Sequence, residues 1–163
     1  MKAASLKNAA VKTLATGFGL GFAPIAPGTF GTLLGIPLFW WLQQKGPLNY
    51  MLLTLLITVF ACVISELAGP LLGETDSPHI VIDEVAGFLV TMTWLPRTWP
   101  AILLGFVLFR ILDATKPGPI SYIERKIPGG IGVVMDDILA GVFANIILQI
   151  IYSNTTWLGE RLT

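Results

Sequence analysis

Five apolar runs, separated by polar or Pro/Gly-rich breaks, constrain the fold of this chain more than any other feature of its sequence. They occupy about residues 28–43, 48–66, 84–96, 99–113 and 137–152. Only the second run approaches the roughly 20 residues that a helix needs to cross the hydrocarbon core of a bilayer. Internal Gly and Pro, dense in the segment 17–43, predict broken or re-entrant pieces, and whether this segment crosses or re-enters stays open. Such backbone is tolerated only where protein or a water-filled cavity satisfies it, so a polar cavity is expected.

The composition indicates that these runs lie in a membrane. Hydrophobic residues make up 54% of the 163-residue chain and charged residues 12%, whereas an ordinary soluble domain has roughly 25% charged residues. The mean hydropathy is +0.76. We therefore expect an all-α fold, a polytopic membrane helical bundle that forms one domain over residues 1–163. The net charge of zero gives no reason to expect nucleic acid as a partner, and the oligomeric state stays open.

The two ends of the chain have their own patterns. Residues 1–16 combine spread lysines with apolar residues at helical spacing, which predicts an amphipathic helix on the membrane surface. Residues 153–163 form a short tail in this interpretation. Cys62 is the only cysteine, so the chain can form no intramolecular disulfide.

Basic residues are divided unevenly if all five runs cross the bilayer. One side holds Lys2, Lys7, Lys12, Lys116, Arg125 and Lys126. The other side holds Lys45, Arg97 and Arg161. Because loops rich in Lys and Arg stay in the cytoplasm, the first side is predicted to be cytoplasmic. The same topology brings six acidic residues to the cytoplasmic edge: Glu66, Asp83, Glu84, Asp113, Asp136 and Asp137.

These acidic residues predict a site for a divalent cation. A charge at the bilayer centre costs about 2.5–3.5 kcal/mol on insertion scales, so carboxylates in such segments normally face a cavity, a cation or a partner. Mg²⁺ is typically held by carboxylates, waters and substrate phosphate oxygens, and the chain has no His/Cys set for zinc. The predicted metal ligands are the two adjacent pairs, Asp83 with Glu84 and Asp136 with Asp137.

Basic groups suited to a phosphate stand beside the acids. Arg110 and Lys116 flank Asp113 at three residues on either side, and Arg125 and Lys126 follow in the same loop. The backbone N–H groups of a glycine-rich stretch are predicted to add an anion-binding nest; its members are Gly129, Gly130 and Gly132. A metal, a cationic clamp and a membrane-edge location together indicate phosphoryl chemistry on a lipid headgroup.

The sequence favours water as the nucleophile. Cys62 has no arginine five residues later, and no Asp-x-Asp-x-Thr stretch offers an aspartyl nucleophile. Water activated by a bound metal and assisted by a carboxylate is the remaining economical mechanism, and which carboxylate takes the proton is open. Purely structural explanations of these residues also stay open. The acidic pairs would then stabilise the starts of helices, and Asp113 would form an ion pair with Arg110 or Lys116. Glu66 would mark the level of the lipid headgroups, and His79 would be exposed to solvent.

Four stretches carry a resemblance to a known family. They read ATGFGLGFAPIAPGTFGT at 15–32, IVIDEVAG at 80–87, FRILDATKPGPI at 109–120 and GGIGVVMDDILAG at 129–141. In this order they resemble phosphatidylglycerophosphatase A, the integral-membrane, Mg²⁺-dependent lipid phosphatase family of bacteria. The resemblance runs from about Ala15 to about Ile151. It implies hydrolysis of phosphatidylglycerophosphate to phosphatidylglycerol and inorganic phosphate, at the cytoplasmic face of the bacterial inner membrane.

The resemblance also implies roles for individual residues. It assigns five residues to the acidic site: Asp83, Glu84, Asp113, Asp136 and Asp137. It makes Lys116 and Arg110 the cations on the phosphate side, and Thr29 and Thr32 a pair of hydroxyl donors.

Two rival functions stay open. The first is a metal-dependent membrane phosphotransferase, although its usual Asp-Gly-x2-Ala-Arg motif is absent here. The second is a cation transporter, although transport sites usually lie near the bilayer midplane and these acids are predicted at one edge.

Overall fold

The computed structural model describes residues 2–74, 77–118, 127 and 129–159, with side chains from residue 4 onward. All regular secondary structure in these residues is helical, which confirms the all-α prediction. The α-helices are α1 Lys2–Ala15, α2 Pro27–Leu42, α3 Pro47–Leu72, α4 Ile82–Thr91, α5 Trp99–Thr115 and α6 Gly130–Asn154. Short 3₁₀ turns at Leu20–Phe22 and Gln43–Lys45 precede α2 and α3. Three of the predicted basic residues lie outside the described residues: Arg125, Lys126 and Arg161.

Two of these helices, α3 and α6, are long and apolar enough to cross a membrane, which fits a membrane protein. They contain 26 and 25 residues, or about 38 Å at a rise of 1.5 Å per residue. The expectation that only the second apolar run approaches this length was wrong. The stretch before residue 137 is helical rather than a loop, so α6 begins seven residues earlier than its apolar run. With α2, α4 and α5 at 16, 10 and 17 residues, the five-crossing topology stays a prediction.

The short helix α4 lies at the centre of the bundle, where it packs most extensively against α6 and next against α2. Close approach of α4 and α6 depends on two glycines. A Cβ added at Gly141 would lie only 2.4 Å from the carbonyl oxygen of Gly87. The surrounding core is fully buried and includes Phe88, Leu89 and Leu148. Small residues at such crossings let helix backbones come together, as is common inside membranes.

The apolar run predicted over 84–96 is broken, because α4 ends at Thr91 and Trp94 adopts a left-handed conformation with φ 59°. Side chains of α6 donate hydrogen bonds to the carbonyl groups that have no helical partner because of this break. Asn145 Nδ2 donates to the carbonyl oxygens of Thr91 and Thr93, each at 2.8 Å, and Gln149 Nε2 donates to that of Thr93 at 3.0 Å. This agrees with the expectation that protein groups support the backbone of broken segments.

At the amino terminus, α1 agrees closely with the helix predicted over 1–16. It packs against α3, and its Val11 and Ala15 are buried there. Its position on a membrane surface stays a prediction. The segment after α1 is held by His79, whose Nδ1 lies 2.9 Å from the carbonyl oxygen of Gly21. His79 is therefore half-buried against this segment, and the reading of a residue exposed to solvent was wrong.

At the carboxyl terminus, the expected tail from residue 153 is partly built into the bundle. The helix α6 continues to Asn154, and Leu158 is buried in the main core. The hydroxyl of Thr98, at the start of α5, donates a hydrogen bond to the carbonyl oxygen of Leu158.

Candidate active site

The ends of four helices meet around one polar cavity of about 230 Å³. Its walls come from the start of α2, the segment before α4, the first turn of α4, the end of α5 and the second turn of α6. All five predicted catalytic acids line it, with both predicted cations: Asp83, Glu84, Asp113, Asp136, Asp137, Arg110 and Lys116. Four stretches that are far apart in the sequence therefore converge, and this cavity is the polar space that the broken segments predicted.

Three of the acids form a compact group. One carboxylate oxygen from each of Asp83, Glu84 and Asp137 lies within 4.8 Å of the others. Asp83 and Asp137 are only 6% and 4% exposed. Glu84 Oε2 and Asp137 Oδ2 are buried without a hydrogen-bond partner among the described residues. Buried carboxylate oxygens normally have partners, so these orphaned atoms and the all-oxygen donor set fit a hard cation such as Mg²⁺.

The fourth predicted metal ligand, Asp136, has a different partner. Its Oδ2 lies 2.5 Å from Nζ of Lys116, and its Oδ1 accepts a hydrogen bond from the backbone N–H of Asp137. Lys116 caps the carboxyl end of α5 in a left-handed conformation, φ 41°, and Pro117 prevents continuation of the helix. The cap position of Lys116 thus places a cation from the end of α5 beside an acid of α6.

Arg110 and Asp113 lie on successive turns of α5 and face the same cavity. Arg110 Nη1 is 2.5 Å from Asp113 Oδ2 and 3.7 Å from Glu84 Oε1. The arginine thus connects the group of three acids on α4 and α6 with the acid of α5. Because Asp113 is 9% exposed, this pairing is much less screened than a surface ion pair.

Several carboxylates share this buried space. Asp83, Glu84 and Asp137 each place a carboxylate oxygen within 4.8 Å of the others. Like charges repel one another in a desolvated space, and a bound cation would offset that cost.

The start of α2 packs directly on these charged groups. A Cβ added at Gly28 would lie 2.0 Å from Glu84 Oε1 and 2.9 Å from Arg110 Nη1. Thr32 is fully buried and its hydroxyl donates to the carbonyl oxygen of Gly28 at 2.9 Å, while Thr29 is half-buried. Neither threonine is among the described residues that line the cavity, so the structure gives the motif a packing role through Gly28.

The glycine-rich stretch before Asp136 also packs closely. The N–H of Gly130, predicted for an anion nest, donates to Glu66 Oε2 at 2.5 Å. A Cβ added at Gly132 would lie 1.8 Å from the carbonyl oxygen of Ile127. As phosphate ligands, Gly129 and Gly130 stay predictions.

Sequence reasoning missed Ser77 as a wall of the cavity. This serine is 2% exposed, and its hydroxyl has no partner among the described residues. Its only signal in the sequence is its position six residues before Asp83.

Comparison with known proteins identifies relatives over most of the chain. A family model described as phosphatidylglycerophosphatase A matches residues 13–152. Phosphatidylglycerophosphatase A of Escherichia coli (strain K12) is 41% identical over 142 residues, which cover 85% of this chain and 81% of that protein. The protein of the same name from Haemophilus influenzae is 35% identical over 153 residues, 91% of each chain.

A third relative bears a different name. A Bacteroides thetaiotaomicron protein with the provisional name phosphatidylinositol-3-phosphatase is 36% identical over 145 residues, 84% of this chain and 90% of that one. No solved structure matches the chain. The helical fold, the cavity of acids and cations and these relatives together define a lipid phosphatase. The chain belongs to the phosphatidylglycerophosphatase A family, which confirms the resemblance found in the sequence.

Proposed function

We propose that this protein hydrolyses phosphatidylglycerophosphate to phosphatidylglycerol and inorganic phosphate, with Mg²⁺, at the cytoplasmic face of the bacterial inner membrane. The observation that carries the proposal is the convergence of five carboxylates and two cations on one cavity of about 230 Å³. Membership in the family supports the substrate. The excess of Lys and Arg on the predicted cytoplasmic side supports the orientation.

In the proposed site, Asp83, Glu84 and Asp137 hold the cation, since one oxygen of each converges with those of the other two. Glu84 and Asp137 also each have a buried oxygen without a partner among the described residues. When bound, Mg²⁺ supplies positive charge that stabilises the phosphoryl group in the transition state. Asp136 stays in its pair with Lys116, and Asp113 stays with Arg110. These pairs aim the two cations at the cavity, where both bind the phosphate oxygens of the substrate.

The reaction breaks the bond between phosphorus and the glycerol oxygen of the headgroup. Water attacks phosphorus as a carboxylate of the cavity accepts its proton, and the departing glycerol oxygen takes up a proton. Arg110 and Lys116 stabilise the negative charge that develops on the phosphoryl oxygens. The opening of the cavity has to admit a phosphate on a lipid headgroup, so the diacyl chains stay outside it.

A phosphate-release assay tests this function. Purified protein in detergent with Mg²⁺ and phosphatidylglycerophosphate should release inorganic phosphate, and a chelator should stop the release. Asp83→Asn and Asp136→Asn should each lower the rate at least tenfold, because each removes a charge from the cavity. The exposed Glu74, outside the cavity, provides the matched control, Glu74→Gln.

Two results would contradict the proposal. If Asp83→Asn released phosphate as fast as the Glu74→Gln control, the acids of the cavity would have no role in the reaction. Faster turnover of phosphatidylinositol 3-phosphate than of phosphatidylglycerophosphate would replace the proposed substrate with the lipid in the name of the Bacteroides relative.

A further inference from the structure

An acidic residue outside the cavity makes a specific contact with the helix that carries two of the site acids. Glu66 lies on α3, near its carboxyl end, and its Oε2 accepts the hydrogen bond from the backbone N–H of Gly130. Gly130 is the first residue of α6, and the residue before it, Gly129, has no side chain with which to cap the helix. The first N–H groups of a helix have no partner within the helix, so Glu66 supplies from α3 the cap that the local sequence lacks.

Steric contacts fix the same junction. A Cβ added at Gly130 would lie 2.1 Å from the backbone nitrogen of Glu66, and one added at Gly129 would lie 2.5 Å from Glu66 Oε2. Gly129 also has φ +82°, a conformation that residues with a Cβ rarely adopt. The start of α6 therefore lies directly on the backbone of α3, and the carboxylate of Glu66 closes the contact.

This junction lies close to the site acids along α6. Asp136 and Asp137 follow Gly130 by six and seven residues, which is about 9–10 Å along the helix axis. Asp137 has to meet Asp83 and Glu84 within 4.8 Å, and Asp136 has to meet Lys116. A displacement of α6 at its first turn would carry both carboxylates with it, and misplacement by about 1 Å can lower a catalytic rate 100-fold.

We propose that Glu66 is a positioning residue of the active site: by capping α6 from α3, it sets the placement of Asp136 and Asp137. The effect of Glu66 on turnover rests on the proposed function. The contact between Glu66 and Gly130 can be measured whether or not the protein has that function. Glu66 is not among the described residues that line the cavity, so its proposed effect on the site passes through α6.

The experiment compares Glu66→Ala with Glu66→Gln and with Glu74→Ala, which alters an exposed acid just beyond the end of α3. Two quantities are measured for each protein: kcat and KM for phosphatidylglycerophosphate, and the hydrogen-exchange rate of the Gly130 amide. We expect Glu66→Ala to lower kcat about 10- to 100-fold with little change in KM, on the scale of a 1 Å misplacement. Gly130 exchange should accelerate in the same variant.

The glutamine variant separates the hydrogen bond from the charge. Its amide oxygen still accepts from Gly130 N–H, so kcat should stay within about threefold of wild type and Gly130 should stay protected. A Glu66→Gln enzyme as slow as Glu66→Ala would overturn the capping role. An unchanged kcat per folded molecule in Glu66→Ala, with only a lower melting temperature, would make Glu66 structural and overturn the proposal.

Failure of the proposed function has a different signature. The wild-type protein would then release no phosphate, while slow Gly130 exchange in wild type and fast exchange in Glu66→Ala would still support the cap. Equal Gly130 exchange in wild type and Glu66→Ala would refute the contact whatever the activity.

Discussion

At the scale of single residues, adjacent acids have different partners. Asp136 and Asp137 are neighbours on α6, yet Asp136 pairs with Lys116 and Asp137 joins Asp83 and Glu84. Successive helical residues are separated by about 100° around the axis, which is enough to give these two neighbours different partners in one cavity. The sequence assigned both to the metal because a repeated carboxylate gives no information on which wall each one faces.

Lys116 provides a test at this scale. Replacing it with Ala removes a cation from the cavity and leaves the buried Asp136 without its ion-pair partner. A hydrogen bond to a charged group contributes about 1.5–3 kcal/mol, so Lys116→Ala should lower kcat/KM for phosphatidylglycerophosphate about 10- to 100-fold. Lys116→Arg keeps the charge and should recover part of the loss.

Lys45 is the matched control for this measurement. It lies in the 3₁₀ turn that follows α2, 4.7 Å from the ring of Trp41 and outside the described lining of the cavity, so Lys45→Ala should leave kcat/KM unchanged. A fully active Lys116→Ala enzyme would count against a role for this lysine on the phosphate.

At the scale of helices, the two ends of the short helix α4 have different roles: one contributes acids to the cavity and the other is held by α6. The first turn of α4 carries Asp83 and Glu84 into the cavity. At its other end, Asn145 of α6 donates to the carbonyl oxygen of Thr91, and Asn145 and Gln149 both donate to that of Thr93, two residues beyond the helix. Its middle rests on α6 through the Gly87–Gly141 contact. The proposed metal-binding geometry thus depends on how α4 is held against α6.

Removing the support at the carboxyl end of α4 should destabilise this pair. Asn145→Ala leaves the carbonyl groups of Thr91 and Thr93 with fewer donors, at a cost of about 1–3 kcal/mol in the free energy of unfolding. Thermal unfolding in detergent measures the effect. Asn154→Ala is the control, because Asn154 is exposed and its side chain donates, within the described residues, to its neighbours Ile150 and Ser153. Equal melting temperatures for the two variants would show that Asn145 does not support α4.

At the scale of the whole molecule, the proposed orientation can be tested across α3. Gln44 lies just before α3 and Glu74 just after it, both exposed. In a chain with Cys62→Ala, a membrane-impermeant maleimide added to intact spheroplasts should label Gln44→Cys but not Glu74→Cys. Permeabilised membranes should label both. Labelling of Glu74→Cys alone in intact spheroplasts would reverse the orientation and place the cavity outside the cytoplasm.

Hydropathy, glycine placement and charge pattern determined the helical class, the need for a polar cavity and the acids and cations that line it. Such properties add up residue by residue along the chain, so they can be read without coordinates. The motifs also identified the family. The length of α6 was underestimated, because glycine-rich stretches are typical of loops unless a neighbouring helix packs on them, as α3 does at Gly130.

Only the tertiary structure decided which carboxylates meet and what holds them there. The grouping of Asp83, Glu84 and Asp137, the contact of Gly28 with Glu84 and the cap of Glu66 on α6 all join residues distant in sequence. Each depends on how one helix is rotated and shifted against another. That placement is set by packing of whole helix faces, which no local pattern of residues contains.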